Sequence, residues 1–260
     1  MKTYCTYAKE DKISKNIESY IKKALNDSIE YSDENPELVI SIGGDGTMLQ
    51  SVHRYIEEDC YFVGIHTGTL GFFTNYLASE VDDLIQDIKK NQYIILERHL
   101  LDVSIVHNNQ VTKLQALNEF RIDYGFTTQV IEVYINDELL EVFRGNGLCV
   151  STPSGSTAYN KALGGAVIYP GYQLMQLTEV AAIHHNAYRS LGSSIILDHR
   201  QKIKFKSKDF KKANLATDHK SFEFSDVDYI TVEISKNNIK FIEYKETSFV
   251  KRLRRSYISE

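Results

Sequence analysis

The sequence predicts an α/β domain with a mainly parallel sheet, followed by a β-rich domain. Three observations carry this. Up to about residue 98, short apolar runs alternate with stretches of helical period. From about residue 99 strand-like runs dominate, and no internal repeat or low-complexity linker interrupts the chain.

Lys2–Ala8 reads as the first strand, and Ile13, Ile17, Tyr20, Ile21, Ala24 and Leu25 recur on one helical face. The apolar run Leu38–Ile42 is a second, buried strand. Behind it Met48, Leu49, Val52, Tyr55 and Ile56 repeat at helical spacing. Tyr61–Ile65 is a third strand, and Val81, Leu84, Ile85 and Ile88 form another helix face. Farther on, Leu101–Val106, Leu114–Asp123 and Val130–Ile135 read as strands, and Asn136-Asp137 turns the chain into Glu138–Phe143 as a hairpin. Gly147–Val150, Ser194–Leu197, Lys202–Lys206, Asp228–Ser235 and Ile239–Tyr244 complete the strands, whereas Gln173–Ala182 and a corner at Ser156 are expected to be helical.

The chain has 260 residues, 42% hydrophobic and 25% charged, which suits two globular domains. A net charge of −5 argues against nonspecific nucleic-acid binding. Cys5, Cys60 and Cys149 are odd in number and lie in apolar surroundings, as reduced thiols do in a cytosolic protein. No run reaches membrane-spanning length and Met1-Lys2-Thr3-Tyr4-Cys5 lacks a signal-peptide core, so a cytoplasmic protein without membrane partners is expected.

The chemistry concentrates in two motifs. The strand Leu38–Ile42 empties into Gly43-Gly44-Asp45-Gly46-Thr47. Glycines let phosphate approach backbone amides, and the helix start behind them carries partial positive charge. An acidic side chain there needs a task, either taking a proton from an attacking hydroxyl or organising metal and phosphate. The loop is neither a P-loop nor Gly-x-Gly-x-x-Gly. The second motif, Ser151-Thr152-Pro153-Ser154-Gly155-Ser156-Thr157-Ala158-Tyr159-Asn160-Lys161, is rich in hydroxyls. Ser156 or Thr157 would cap a helix through Tyr159 and Leu163, and the corner would offer amides and hydroxyls to ribose or phosphate, with Tyr159 lining an adenine or ribose pocket. A serine hydrolase is unsupported, because Gly-x-Ser-x-Gly is missing.

Together with Asn118-Glu119, these motifs resemble the three ordered signatures of the NAD kinases. Gly64-Ile65-His66-Thr67-Gly68-Thr69-Leu70-Gly71-Phe72 and Phe143-Arg144-Gly145-Asn146-Gly147-Leu148 are also similar to that family, most nearly its short Gram-positive members. The resemblance implies phosphorylation of the 2′-hydroxyl of the adenosine ribose of NAD to give NADP. ATP or another phosphoryl donor serves the reaction, with Mg²⁺ or another divalent cation whose protein ligands are unknown. It implies a β-rich sandwich as the second domain (residues 99–244) and a discontinuous first domain (1–98 plus about 245–260). It also implies a homodimer or homotetramer.

The resemblance makes Asp45 the catalytic carboxylate, as base or as organiser of metal and phosphate. Gly46 would lie against the dinucleotide and Phe72 near the adenine, with Gly43, Gly44 and Thr47 toward phosphate. Asn118 and Glu119 would hold ribose hydroxyls and adenine. Arg144 would neutralise phosphate. Ser154, Thr157, Ala158 and Tyr159 match the family's ligand-contacting stretch, which continues through Asn160 and Lys161 to Ala162. Ala181 matches a position beside the ligand. Asp218 falls where the family has an acidic residue near the phosphate, and His219 would contact the new 2′-phosphate. Two positions depart from the family: Asn146 replaces an aspartate and Ala162 a frequent serine, both toward the nicotinamide end. A dinucleotide sensor without turnover is one alternative, and a lipid or sugar kinase sharing only the first loop is another. The adjacent His184-His185 do not read as a metal site, and the basic tail Lys251-Arg252-Leu253-Arg254-Arg255 reads as a solvated helix end or a subunit contact.

Overall fold

The computed structural model describes residues 1–68, 71–124, 127–208, 210, 213–224, 226–245 and 248–258. In chain order its elements are β1 (Thr3–Ala8), α1 (Lys12–Leu25), β2 (Glu30–Tyr31), β3 (Leu38–Gly43), α2 (Asp45–Arg54), β4 (Tyr61–His66), β5 (Tyr76–Leu77), α3 (Val81–Lys90) and β6 (Ile94–His107). There follow β7 (Gln110–Ala116), β8 (Glu119–Asp123), β9 (Gln129–Ile135), β10 (Glu138–Gly145), β11 (Gly147–Ser151), α4 (Tyr159–Ala162) and β12 (Leu174–Val180). The last are β13 (Ile195–Asp198), β14 (Lys202–Lys206), β15 (Asn214–Thr217), β16 (Lys220–Phe222), β17 (Val227–Glu243) and α5 (Phe249–Tyr257). Two compact units result, Met1–Glu97 with Ile239–Glu260, and Arg98–Asn238; the chain passes between them within β6 and again within β17. No helix among the described residues is long and apolar enough to cross a membrane.

In the first unit β1, β3, β4 and the end of β17 run parallel, with β3 central and buried along its whole length. Burial on both faces is what its near-continuous apolar run requires. Leu38, Ile40, Ile42, Val63 and Ile65 meet Ile21 and Leu25 of α1 and Leu84, Ile85 and Ile88 of α3 in one core. The Oδ1 of Asp11 accepts the Ser14 amide at 2.9 Å and so caps α1. Residues 246, 247, 259 and 260, part of the segment assigned by resemblance to this domain, lie outside the described residues.

The second unit is a sandwich. One sheet has the order β13-β12-β11-β8-β15-β16, all neighbours antiparallel. The facing layer contains β10-β9-β14 against β17, with β6 and β7. Leu101, Phe120, Ile131, Phe143, Leu148, Phe205 and Ile230, drawn from both layers, share its core.

Four sequence expectations need correction. Gln173–Ala182 is not helical: Leu174–Val180 is a strand hydrogen-bonded to β11 on one side and β13 on the other, so sheet pairing overrides helix propensity. Leu114–Asp123 is two strands broken at Leu117-Asn118, where side chains take over the backbone groups. Asp228–Ser235 and Ile239–Tyr244 are stretches of the single strand β17. Neither Ser156 nor Thr157 caps a helix. Their hydroxyls bond to the Pro153 and Ser154 carbonyls within a tight turn, and α4 has no side-chain cap. The three cysteines are free and buried.

Gly147 opens β11 where β8 comes closest, and a Cβ there would overlap the Ile122 carbonyl. Gly147→Ala is therefore expected to cost about 2 kcal/mol in urea-unfolding stability. An unchanged midpoint would show that the two strands separate freely.

Candidate functional site

β3 and β4 are in register up to Gly43 opposite His66, so the loops leaving both strands start at one level. Gly43 is obligatory because a Cβ would overlap the Thr47 side chain, and the Thr47 Oγ1 accepts the Gly44 amide at 3.4 Å. α2 then begins on Asp45. The Asp45 carboxylate is gripped by the second loop: the Phe72 amide donates to Oδ2 at 2.8 Å and the Phe73 amide to Oδ1 at 3.1 Å. Any Cβ on Gly71 would overlap that carboxylate. Each oxygen retains a lone pair for a hydroxyl or a cation. Gly46 beside it is exposed, with nothing within 4 Å of where a side chain would begin.

His66 closes the β4 side. The Gly68 amide donates to its Nδ1 at 2.9 Å, and burial holds its pKa below the usual imidazole value while Asp45 pulls the other way. Phe72 is half-buried, its ring 5.9 Å from Tyr257 and 6.3 Å from Phe249 of α5. Thr69 and Leu70 of the resembling stretch lie outside the described residues.

In the second unit the break between β7 and β8 is organised by Asp218. Its Oδ2 accepts the Leu117 amide at 2.8 Å, and its Oδ1 accepts those of Asn118 and Glu119 at 2.7 and 3.1 Å. Asp218 itself adopts φ +52, which an aspartate at a hairpin tolerates, and exposed His219 follows it in the turn. The Thr152 Oγ1 donates to the Leu117 carbonyl at 2.6 Å, and a Cβ on Gly155 would overlap the Asn118 carbonyl. Asn118, Glu119, Thr152, Ser154, Gly155, Thr157 and Asp218 thus converge on one corner. The Ser151, Thr152 and Ser156 hydroxyls donate to carbonyls of this corner, so less of the hydroxyl-rich motif faces outward than its composition implies. The Asn118 Oδ1 and a Glu119 oxygen, both buried, have no hydrogen-bond partner among the described residues. Burial, then the Asp218 charge, push the Glu119 carboxyl up to about 8, partly countered by Arg121.

Asn160 is buried, accepting from the Thr178 hydroxyl at 2.7 Å, whereas Lys161 and Ala162 are exposed. Tyr159 carries the Arg121 guanidinium 4.7 Å from its ring centre. Arg121 is a residue that motif reading passes over. The signal was present, since Glu119, Arg121 and Asp123 alternate with Phe120 and Ile122 and must share one face of β8. Its guanidinium lies 3.5 Å from Asp123, and burial raises that carboxyl above its usual value.

Arg144, Asn146 and Ala181 form a second corner, at the opposite end of β11 from Ser151. The Asn146 amide donates to the Val180 carbonyl, its side chain donates to the Tyr124 carbonyl at 3.4 Å, and the Arg144 guanidinium lies 4.2 Å from the ring centre of Tyr188. Ala181 adopts φ +46, a left-handed conformation that is uncommon for an alanine. With strands rising about 3.3 Å per residue, this corner is roughly 13 Å from the Asn118 corner.

A carboxylate held at a glycine loop above parallel strand ends suits phosphoryl transfer, and a sheet corner with unpartnered amide and carboxyl oxygens suits a polar ligand, the chemistry of a nucleotide-using phosphotransferase. The family models for the ATP-NAD kinase N-terminal and C-terminal domains match residues 2–93 and 117–244. NAD kinase 1 of Halalkalibacterium halodurans is 38% identical over 255 residues, 96% of each chain. Two solved structures share the fold. Yeast NADH kinase complexed with NADH has a TM-score of 0.86 at 18% identity, covering 100% of this chain and 89% of its own. An NAD kinase from Archaeoglobus fulgidus in complex with ATP has 0.73 at 23%, covering 98% and 96%. The chain belongs to the ATP-NAD kinase family. The match over 117–244 removes the reading as a lipid or sugar kinase that shares only the first loop.

A carboxyl whose folded pKa exceeds its unfolded one stabilises below the unfolded value and loses that contribution as pH rises through the folded one. For Glu119 the window runs from the ordinary 4.5 to about 8. Glu119→Gln is expected to flatten the stability profile there and to melt at least about 2 °C above the native chain at pH 9. Parallel melting curves from pH 5 to pH 9 would refute the buried neutral carboxyl.

Proposed function

We propose that the chain transfers the terminal phosphoryl group of ATP to the 2′-hydroxyl of the adenosine ribose of NAD, giving NADP, with Asp45 as the carboxylate at the reacting hydroxyl. NAD kinase is the activity of the family to which it belongs. The grip of the Phe72 and Phe73 amides on Asp45, beside open Gly46, carries the assignment. As the bond from the 2′-oxygen to phosphorus forms and the bond to the leaving ADP oxygen breaks, the hydroxyl proton passes to an Asp45 oxygen. Because the amides fix those oxygens beforehand, positioning is complete before the reaction begins.

Asn118 and Glu119 supply the recognition. A ribose hydroxyl or adenine amine would satisfy the Asn118 Oδ1, and a neutral Glu119 both donates and accepts. Arg121 lies against the ring of Tyr159, which would meet a base or ribose. Ser154, Thr157 and Ala158 line the same corner, and Gly43, Gly44 and Thr47 shape the loop that faces phosphate. Asp218 acts on phosphate indirectly, since its oxygens already hold three amides.

Among the described residues no three His, Cys, Asp or Glu side chains form a metal cage. One carboxylate nevertheless suits Mg²⁺, which binds through substrate phosphates and water with few protein ligands. Asp45 would hold it, and the cation would neutralise phosphate charge. A cytoplasmic homo-oligomer, as the family resemblance implies, completes the proposal.

Formation of NADP from NAD, ATP and Mg²⁺ tests the assignment beside Asp45→Asn, which is expected to lower kcat by about 10²-fold or more. Saturable NAD binding without turnover in the native chain would favour a sensor. Asn146→Asp restores the family residue and is expected to lower KM for NAD. An unchanged KM would separate that corner from the ligand.

A further inference from the structure

The basic tail is not uniformly solvated. Lys251, Arg254 and Arg255 of α5 are exposed, but Arg252 is only 5% exposed. Its Nη1 donates to the carbonyls of Gly71, Phe72 and Thr74 at 3.3, 2.7 and 3.1 Å. Its Nη2 donates to the Asn75 Oδ1 at 3.0 Å and the Glu243 Oε1 at 3.1 Å. Desolvating a guanidinium is costly, and Glu243 and Asp45 are the charges that oppose that cost. An apolar side chain would leave these five acceptors without their donor, so what the guanidinium supplies is a hold on the loop itself.

The peptide planes show what that hold does. In a trans peptide the carbonyl and the following N–H point in opposite directions, and the described residues contain no cis bond. The Gly71 carbonyl shares its plane with the Phe72 amide, and the Phe72 carbonyl shares its plane with the Phe73 amide. Arg252 holds the carbonyl side of both planes, and Asp45 is bound on the amide side of both. We propose that Arg252 is a positioning residue for phosphoryl transfer, orienting these two peptide planes so that their amides aim the Asp45 carboxylate at the reacting hydroxyl. This rests on the reading of Asp45 given above. The rings of Phe249 and Tyr257 against Phe72 hold α5 on the same loop. The family-model matches end at residue 244, before this helix begins.

Lysine at 252 keeps a charge opposite Glu243 but lacks the planar fork that reaches two successive carbonyls. The test is a cycle of Arg252→Lys, Asp45→Asn and the double variant, read as kcat, KM for NAD and ATP, and melting temperature. With Asp45 present, Arg252→Lys is expected to lower kcat about 10-fold or more while KM for NAD stays within about 2-fold. In the Asp45→Asn background the same change is expected to cost less than about 2-fold, because the group being aimed is gone. An undiminished kcat in Arg252→Lys, or an equal loss in both backgrounds, overturns the proposal and leaves Arg252 a stability residue. Full activity in Asp45→Asn alone would instead overturn the reading of Asp45, and the proposal with it. Should Arg252→Lys fail to fold, Asn75→Ala, which removes a loop-side partner of the guanidinium, carries the same cycle with a kcat loss of about 3-fold or more expected, again only where Asp45 is present. No loss there overturns it equally.

Discussion

The bond between the Asp45 carboxylate and the Phe72 and Phe73 amides is the constraint around which the first unit is arranged. It joins the loop after β3 to the loop after β4, which is possible because those strands are parallel neighbours that end in register. It requires glycine at 71, since a side chain would occupy the carboxylate's place. It also gives the last helix a task, because the far side of the same peptides must be held. A single acidic residue in a glycine loop thereby depends on segments far apart in the chain.

The second unit uses the same device with a different outcome. Asp218 gathers three successive amides and so bends the chain between β7 and β8. In doing so it ends β7 before Leu117 and starts β8 at Glu119, and the Asn118 Oδ1 and one Glu119 oxygen are left without a hydrogen-bond partner among the described residues. Burial first, and the Asp218 charge after it, push the Glu119 carboxyl up to about 8. In both units one carboxylate satisfies backbone donors that the sheet does not. The difference lies in what remains: Asp45 keeps free lone pairs on an open loop, whereas Asp218 is buried.

The order of the motifs and the α/β-then-β organisation were legible in the residues alone. Hydrophobic period reports which face of a segment is buried, and glycine with a carboxylate after an apolar run reports a loop that needs close approach. The same information singled out Asp45, Asn118, Glu119 and the Ser151–Lys161 corner as candidates. It did not locate Arg121 as a partner of Tyr159. It also read Arg252 as one basic residue among several, because charge in a sequence carries no sign of burial.

What the tertiary structure alone decided were choices that depend on distant partners. Leu174–Val180 has residues that suit a helix, and it is a strand because β11 and β13 offer hydrogen bonds on both sides. Leu114–Asp123 has an unbroken strand pattern, and it breaks because Thr152 and Asp218 claim its backbone at Leu117 and Asn118. Sequence by itself determined which groups this protein has for phosphoryl transfer and the order in which they occur. Structure decided which of them are held and which do the holding, since that division rests on hydrogen bonds between residues 27 to 180 positions apart.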